Sequence, residues 1–239
     1  MIALDVPSLD AADSLLGRLD GTLTGCKIGS QLFTAAGPAA IETARKRGFR
    51  VFLDLKFHDI PNTVGLAVRE ATRLGVFMLN IHASGGLAMA CAAADAATKA
   101  AGDFAIPRPL CLGVTVLTSL DRRALQREVG VPTSVESHVL HLAALAREAG
   151  LDGCVASPQE ISPLRLAMGP RWVIVTPGIR WEKAAETPGA SRPDDQVRVA
   201  TPRRALAAGA DYLVVGRPIS AASDPAKAAA AIVAELSAP

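Results

Sequence analysis

Val51-Phe52-Leu53-Asp54-Leu55-Lys56 is an apolar run that carries two opposite charges two residues apart. Successive side chains of a β-strand point to opposite faces, so Asp54 and Lys56 are predicted to share one face with Phe52. A face that holds a phenylalanine points into an apolar interior, where opposite charges must pair because an isolated charge is costly. The run therefore predicts a buried strand that ends in an acid paired with a base.

Seven further apolar runs are spread along the chain, and most are continuous rather than alternating, as is typical of parallel strands covered on both faces. The segments between them are rich in alanine, leucine and charged residues, and several begin with helix-start signals. The eight predicted strands are Ile2–Val6, Cys26–Gly29, Val51–Lys56, Met78–Ala83, Cys111–Leu117, Gly153–Ser157, Trp172–Ile179 and Tyr212–Arg217. Predicted helices with such signals are Leu9–Leu19, Thr63–Leu74, Arg203–Ala208 and Ala226–Leu236.

Eight alternating strand–helix units predict an α/β fold, a single-domain (β/α)8 TIM barrel over residues 1–239 with its active site at the C-terminal ends of the strands. A doubly wound open sheet is the alternative, but it rarely reaches eight regular units, and no G-x-G-x-x-G follows the first run. Two connections are long, Thr118–Ser134 and Arg180–Ala200. Connections of this length usually carry function, and the second is predicted to be a mobile lid.

The composition narrows the class of protein further. The net charge is +2, which argues against a nucleic-acid partner, and the four cysteines form no Cys-x-x-Cys pair, as expected of a reduced cytoplasmic protein. A mean hydropathy of +0.28 raises the question of a membrane span, because residues 74–94 lack an ionised side chain. Their middle, Asn80–Gly86, is polar and glycine-rich, so a strand and a glycine turn are predicted there, with no membrane span.

Charged residues recur at the predicted strand ends. Lys27 lies on the second predicted strand, and Asp59 lies just beyond the third, so Lys27, Asp54, Lys56 and Asp59 alternate in sign and sum to zero. Because active sites of barrels lie at the strand ends, four such charges indicate a catalytic set, although a structural ion-pair network at the barrel mouth is the alternative for any one pair.

The last two strand ends carry a second signal. Thr176-Pro177-Gly178-Ile179-Arg180 and Val215-Gly216-Arg217-Pro218 each combine glycine with arginine. Glycine lets backbone N–H groups approach an oxyanion, and arginine binds phosphate through two parallel hydrogen bonds. The loops after strands seven and eight frequently form the phosphate site of barrels, so a phosphate site is predicted there.

The residues 54–63 resemble the D-x-K-x-x-D-I-P-x-T signature of the orotidine 5′-phosphate decarboxylase family. Other blocks resemble the family in order along nearly the whole chain: 2–5, 27–29, 175–180, Asp195-Gln196-Val197-Arg198 and 214–217. The resemblance implies decarboxylation of orotidine 5′-phosphate to uridine 5′-phosphate by a cytoplasmic homodimer, with no metal and no cofactor.

The resemblance also implies the role of each site residue. Lys56 would protonate C6 of the pyrimidine, Asp54 would lie beside the substrate carboxylate, and Lys27 would hold the charge network. Asp59 and Thr63 would be supplied to the site of the partner subunit. The implied substrate-binding residues are Asp5 at the ribose, Thr118 at the pyrimidine, Gln196 between phosphate and base, and Pro177, Arg180, Gly216 and Arg217 around the phosphate.

Three rival functions remain open at this point. A related barrel enzyme that acts on a keto-hexulose phosphate with magnesium shares Asp-x-Lys-x-x-Asp but lacks the Ile-Pro-x-Thr that follows. Lys56 could serve as a Schiff-base lysine, and an inactive barrel could act as a nucleotide sensor. His58 is predicted to pack away from the charged pair, and His82 to support the site without taking part in catalysis.

Overall fold

The computed structural model describes residues 1–180 and 198–237 and forms a (β/α)8 barrel, as predicted. All eight strands are parallel and follow one another around the sheet in chain order. A parallel bridge between Ile2 and Val215 joins the last strand to the first and closes the barrel. The strands are β1 Ile2–Ala3, β2 Gly25–Gly29, β3 Arg50–Phe57, β4 Met78–His82, β5 Leu110–Val114, β6 Gly153–Val155, β7 Val173–Thr176 and β8 Tyr212–Leu213.

Helices separate the strands and cover the outside of the barrel. Ser8 caps the first helix by accepting a hydrogen bond from the Ala11 N–H, and Thr201 caps the helix Pro202–Ala207 in the same way by accepting from the Arg204 N–H. The helices are α1 Leu9–Gly17, α2 Ser30–Ala36, α3 Pro38–Lys46, α4 Pro61–Arg73, α5 Leu87–Asp103, α6 Arg122–Arg127, α7 Val135–Glu148, α8 Ile161–Met168, α9 Pro202–Ala207, α10 Arg217–Ser220 and α11 Pro225–Ser237.

Several elements differ from the sequence prediction. The predicted strands over 2–6, 111–117, 153–157, 172–179 and 212–217 end earlier, because their last residues leave the sheet to form the loops at the barrel mouth. The connection Thr118–Ser134, predicted as a loop, contains the short helix α6. Asp121 begins that helix by accepting a hydrogen bond from the Ala124 N–H.

The buried apolar side chains form two layers. A small inner cluster fills the barrel and includes Ala3, Phe52, Met78, Leu112, Val175 and Val214. A much larger cluster lies between the strands and the surrounding helices. Phe52 is therefore inside the barrel, as predicted, and the inner cluster forms the floor on which the charged residues of the mouth rest.

The uncharged stretch 74–94 contains β4, a single 3-10 turn at Ala83–Gly85 and the first half of α5, as predicted. In the part of the chain that the structure describes, no helix is long and apolar enough to cross a membrane.

Candidate active site

A cavity of about 690 Å³ opens at the carboxyl ends of the strands. Its volume is within the range of small-molecule sites, about 300–1,000 Å³. Side chains from β2 and β3, the loop after β5, and the loops after β1, β7 and β8 contribute to its wall. Nine of the residues predicted from the sequence line it: Asp5, Lys27, Asp54, Lys56, Thr118, Pro177, Arg180, Gly216 and Arg217.

One side of the cavity carries a chain of alternating charges. Lys56 Nζ lies 2.7 Å from Asp54 Oδ1, and Lys27 Nζ lies 3.2 Å from Asp54 Oδ2. Lys27 Nζ also lies 3.3 Å from Asp5 Oδ1, at the outer end of the chain. Within one subunit the fourth charge is therefore Asp5, where the sequence pattern had suggested Asp59.

Burial and pairing act in opposite directions on these charges. Burial alone would raise the pKa of Asp54, but Lys27, Lys56 and the Asn80 amide outweigh it and hold that pKa below its usual value. Burial alone would lower the pKa of Lys27, and the carboxylates of Asp54 and Asp5 reverse this and raise it. Both groups are therefore charged at neutral pH, although both are largely removed from water.

Asp54 and Lys56 do not meet through regular strand alternation. Leu53 pairs with Leu79 and Phe57 pairs with Ile81, so four steps along β3 match only two along β4. Lys56 has a φ of 53°, a left-handed conformation that costs a residue with a side chain about 1–2 kcal/mol. The pair predicted from the sequence is present, but a bulge brings it together.

Gly29 is a site residue that the sequence analysis did not single out. A Cβ at this position would lie 3.0 Å from Lys27 Nζ and 3.6 Å from Asp5 Oδ1. Glycine therefore leaves room for the lysine to reach both carboxylates, because a methyl group here would crowd its ammonium. Its place two residues after Lys27 on β2 was the available signal, because i and i+2 share a face.

The loops after β7 and β8 bring the predicted phosphate residues to the same cavity. Gly178 has a φ of 78°, which favours glycine, and its carbonyl accepts a hydrogen bond from Ala200. The Arg180 N–H donates to the Ala200 carbonyl at 2.9 Å, so the segment that leaves the barrel after β7 returns beside itself. Arg180 and Arg217 thus face one cavity from neighbouring strand ends.

A buried ion pair fixes the returning segment to the neighbouring loops. Arg198 pairs with Glu160, and each is about 5% exposed or less. The same guanidinium donates to the carbonyls of Leu117 at 3.0 Å and Val116 at 3.3 Å. Ser157 donates to Glu160 as well. Arg198 therefore connects the region after residue 197 to the loop that carries Thr118.

Two predicted residues are not part of the cavity in this subunit. Asp59 is exposed and accepts a hydrogen bond from the Ile60 N–H at 2.6 Å, and Thr63 is exposed on the first turn of α4. Neither lines the cavity. Gln196, and most of the predicted lid 180–200, lie outside the described residues.

The two histidines near the site lie beside the cavity without lining it. His58 is exposed, and its ring centroid is 5.3 Å from that of the half-buried His82. Burial lowers the pKa of His82, and the nearby charges of His58 and Lys56 lower it further. His82 is therefore neutral at pH 7.

Residues 1–180 and 198–237 contain no group of three or more His, Cys, Asp or Glu side chains placed to hold a metal ion. Fold and cavity together define a (β/α)8-barrel protein whose charged site lies where barrel enzymes bind their substrates. The family model described as "Orotidine 5'-phosphate decarboxylase / HUMPS family" matches residues 1–232. The chain belongs to that family.

Individual relatives cover nearly the whole chain. A protein named orotidine 5'-phosphate decarboxylase from Moorella thermoacetica is 56% identical over 99% of this chain and 91% of its own length. One of the same name from Pseudomonas aeruginosa is 51% identical over 99% and 96%. The crystal structure of orotidine 5'-phosphate decarboxylase from Lactobacillus acidophilus superimposes with a TM-score of 0.84 at 35% identity, covering 99% of this chain and 98% of that one.

Proposed function

We propose that this protein decarboxylates orotidine 5′-phosphate to uridine 5′-phosphate, the last step of de novo UMP synthesis, without a metal or a cofactor. The observation that carries the proposal is the Lys56 ammonium, held 2.7 Å from the Asp54 carboxylate in a cavity that two arginines also line. Such a site suits an anionic phosphate ester whose reacting carbon develops negative charge. The names of the relatives that are 51–56% identical support the same reaction.

Lys56 is proposed as the general acid of the reaction. The bond between C6 and the carboxylate breaks, carbon dioxide leaves, and the electron pair stays on C6. A vinyl carbanion of this kind has little delocalisation, so a cation already in place lowers the barrier. Lys56 then transfers a proton from Nζ to C6, which gives the product and a neutral amine that solvent reprotonates.

Asp54 and Lys27 are proposed to keep that lysine charged and in place. The Asp54 carboxylate contacts both ammonium groups, and its lowered pKa keeps it ionised. Asp54 would also lie beside the substrate carboxylate and repel it more before bond breaking than after. Asp5, at the exposed end of the charge chain, is proposed to bind the ribose hydroxyls.

Arg180 and Arg217 are proposed to bind the phosphate, together with Pro177 and Gly216. A Cβ on Gly216 would meet its nearest neighbours at 3.7 Å or more, so packing within the protein does not require glycine there. Close approach of a ligand to the backbone is a reason for glycine that fits this position. Thr118 would contact the pyrimidine, and Gln196 would bridge the phosphate and the base.

We propose that the active form is a homodimer in which Asp59 of the partner subunit and Thr63 of the partner subunit complete each site. In one subunit both residues are exposed and outside the cavity, which supports a role elsewhere. Ile60 is 65% exposed and Leu66 is 58% exposed on the same segment. Large apolar side chains exposed on one segment are consistent with a surface that another protein covers.

The chain is further proposed to act as a single domain in the cytoplasm. The continuous sheet of eight strands supports one domain over residues 1–239. The four cysteines are free, as expected in a reducing compartment.

The deciding experiment is the absorbance change on adding orotidine 5′-phosphate in the presence of excess chelator. Full turnover under these conditions supports the proposal and removes a magnesium-dependent relative as the alternative. Tight binding of uridine 5′-phosphate without turnover would instead favour a sensor. A substrate adduct trapped by borohydride would favour a Schiff-base lysine.

Two sets of variants test the assignment of residues. Lys56→Ala is expected to abolish turnover while the protein remains folded, and Lys46→Ala, at an exposed ion pair, is the matched control. Subunits carrying Asp59→Ala and subunits carrying Lys56→Ala, each inactive, are expected to regain partial activity when mixed. An active Lys56→Ala protein contradicts the mechanism, and failure to complement contradicts the shared site.

A further inference from the structure

The bulge in β3 is filled by one buried amide from the neighbouring strand. Asn80 lies on β4 between Leu79 and Ile81, the two residues that pair with the ends of the bulge. Its side chain is polar and fully buried, whereas the other residues of β4 up to Ile81 are apolar. A buried polar side chain is retained only where its hydrogen bonds are satisfied.

Both the oxygen and the nitrogen of the Asn80 side-chain amide form hydrogen bonds with residues of the site. Its Oδ1 accepts a hydrogen bond from the backbone N–H of Lys56 at 2.8 Å. Its Nδ2 donates to Asp54 Oδ1 at 2.7 Å, the same oxygen that accepts from Lys56 Nζ. The orientation of the amide is fixed by chemistry, because a backbone N–H can only donate and a carboxylate can only accept.

We propose that Asn80 is a positioning residue for the decarboxylation, an inference that rests on the function proposed above. By bonding the backbone of Lys56 and the side chain of Asp54, it holds Lys56 in its left-handed conformation and aims the ammonium into the cavity. Asn80 itself does not line the cavity, so it acts through these two residues. Other side chains of similar size cannot replace it: aspartate lacks the donor and places a second negative charge against Asp54, and leucine lacks both groups.

The expected effect is on the chemical step and not on binding. The side-chain hydrogen bonds of Asn80 go to Asp54 and to the backbone of Lys56, so the residues proposed to bind the phosphate, Arg180 and Arg217, are expected to keep their places. Asn80→Asp and Asn80→Leu are therefore expected to lower kcat by about 100-fold, the scale of a reacting group misplaced by about 1 Å, with KM changed less than threefold. Binding of uridine 5′-phosphate is expected to stay within the same limit.

The test combines kinetics with amide hydrogen exchange. In the wild-type protein the Lys56 amide is bonded to a buried oxygen and is expected to exchange slowly, and in Asn80→Leu it is expected to exchange at least tenfold faster. Thr72→Val is the control, because Thr72 is a buried polar residue whose hydroxyl bonds only its own helix at the Val68 carbonyl. That variant is expected to leave kcat and the exchange of the Lys56 amide within threefold of wild type.

The outcomes separate this inference from the proposed function. If either Asn80 variant folds and keeps kcat within threefold of wild type, or if KM rises as much as kcat falls, Asn80 is not a positioning residue. Should Asn80→Leu fail to fold, Asn80→Asp, which keeps the size of the side chain, decides the kinetic measurement, and Asn80→Ala, which also removes the acceptor of the Lys56 N–H, decides the exchange measurement. A wild-type protein without turnover overturns the proposed function and the catalytic part of this inference, while the exchange comparison still decides whether Asn80 holds Lys56.

Discussion

Replacing Lys27 by methionine removes one of the two cations that face Asp54 while keeping an unbranched side chain of similar size. In the folded protein the pKa of Asp54 is held below its usual value, so the wild-type carboxyl is ionised at every pH above about 4. In Lys27→Met the rise caused by burial is opposed only by Lys56 and Asn80. The pKa of Asp54 is therefore expected to increase.

The size of the increase follows from the distance. At 3.2 Å and an effective dielectric constant of about 20, the attraction between Lys27 and Asp54 is about 5 kcal/mol, or roughly four pKa units. Opposite charges at close range shift carboxyl pKa values by about 1–3 units in practice. We expect an upward shift of about 2 units for Asp54.

The assay is the pH dependence of kcat/KM, which reports groups of the free enzyme. The acid limb of Lys27→Met is expected to move upward by about 2 units relative to wild type. Titration of the substrate is common to both proteins and cancels in the comparison. Lys46→Met is the control, because Lys46 pairs with Glu42 on the exposed surface of α3, where solvent screens the pair, and its profile should match wild type.

Stability gives an independent check of the same shift. A carboxyl whose folded pKa lies below its unfolded value contributes stability above the unfolded pKa of 3.8, and loses it as the pH falls through the folded pKa. A shift of about 2 units therefore makes Lys27→Met less stable than wild type by about 3 kcal/mol at pH 7, and the difference narrows toward pH 3. The reasoning is refuted if the pH profiles coincide above pH 4 and the stability difference is independent of pH.

Three further predictions concern packing and reactivity. Gly29→Ala is expected to lower kcat/KM about tenfold, because the new methyl group displaces the end of Lys27. The melting temperature should change little, because that end of the side chain is flexible. Unchanged activity would contradict the close contact. Arg198→Met is expected to lower the free energy of unfolding, measured in urea titrations, by about 3–5 kcal/mol, because Glu160 is left buried without its cation. Adding Glu160→Leu to this variant should restore part of the lost stability. With a thiol reagent at pH 8, only the half-buried Cys91 is expected to react quickly in the native protein. The other three thiols are buried, and burial raises their pKa to about 12. A second thiol that reacts quickly would show that the barrel opens more easily than its packing implies.

The barrel could be predicted from the sequence because its strands are short, continuous apolar runs separated by well-marked helix starts. The strand ends then indicated most of the cavity, from Lys27 on β2 to Arg217 after β8. Strand lengths were less predictable. The residues that line the mouth are as apolar as those in the sheet, and only tertiary contacts decide where the hydrogen-bonded ladder ends.

The features that were missed depend on partners distant in sequence. Asn80 stands out as a polar residue in an apolar run, but its partner is a bulge that exists only in the register between β3 and β4. Arg198 and Glu160 are 38 residues apart and carry no local pattern that links them. That Asp5, and not Asp59, is the fourth member of the charge chain likewise depends on the pairing of β1 with β2.

The place where the barrel closes lies beside the cavity that is proposed to hold the nucleotide. β1 and β8 have two residues each, and they meet where the Ala3 N–H donates to Val215 and the Val215 N–H donates to Met1. Asp5 follows β1, and Gly216 and Arg217 follow β8, so a bound nucleotide would touch both sides of this junction. By contacting both sides, the ligand would stabilise the shortest strand pairing in the described sheet. Binding should slow local opening at the junction more than elsewhere in the barrel, so that occupancy by substrate or product becomes part of what keeps the ring of strands closed.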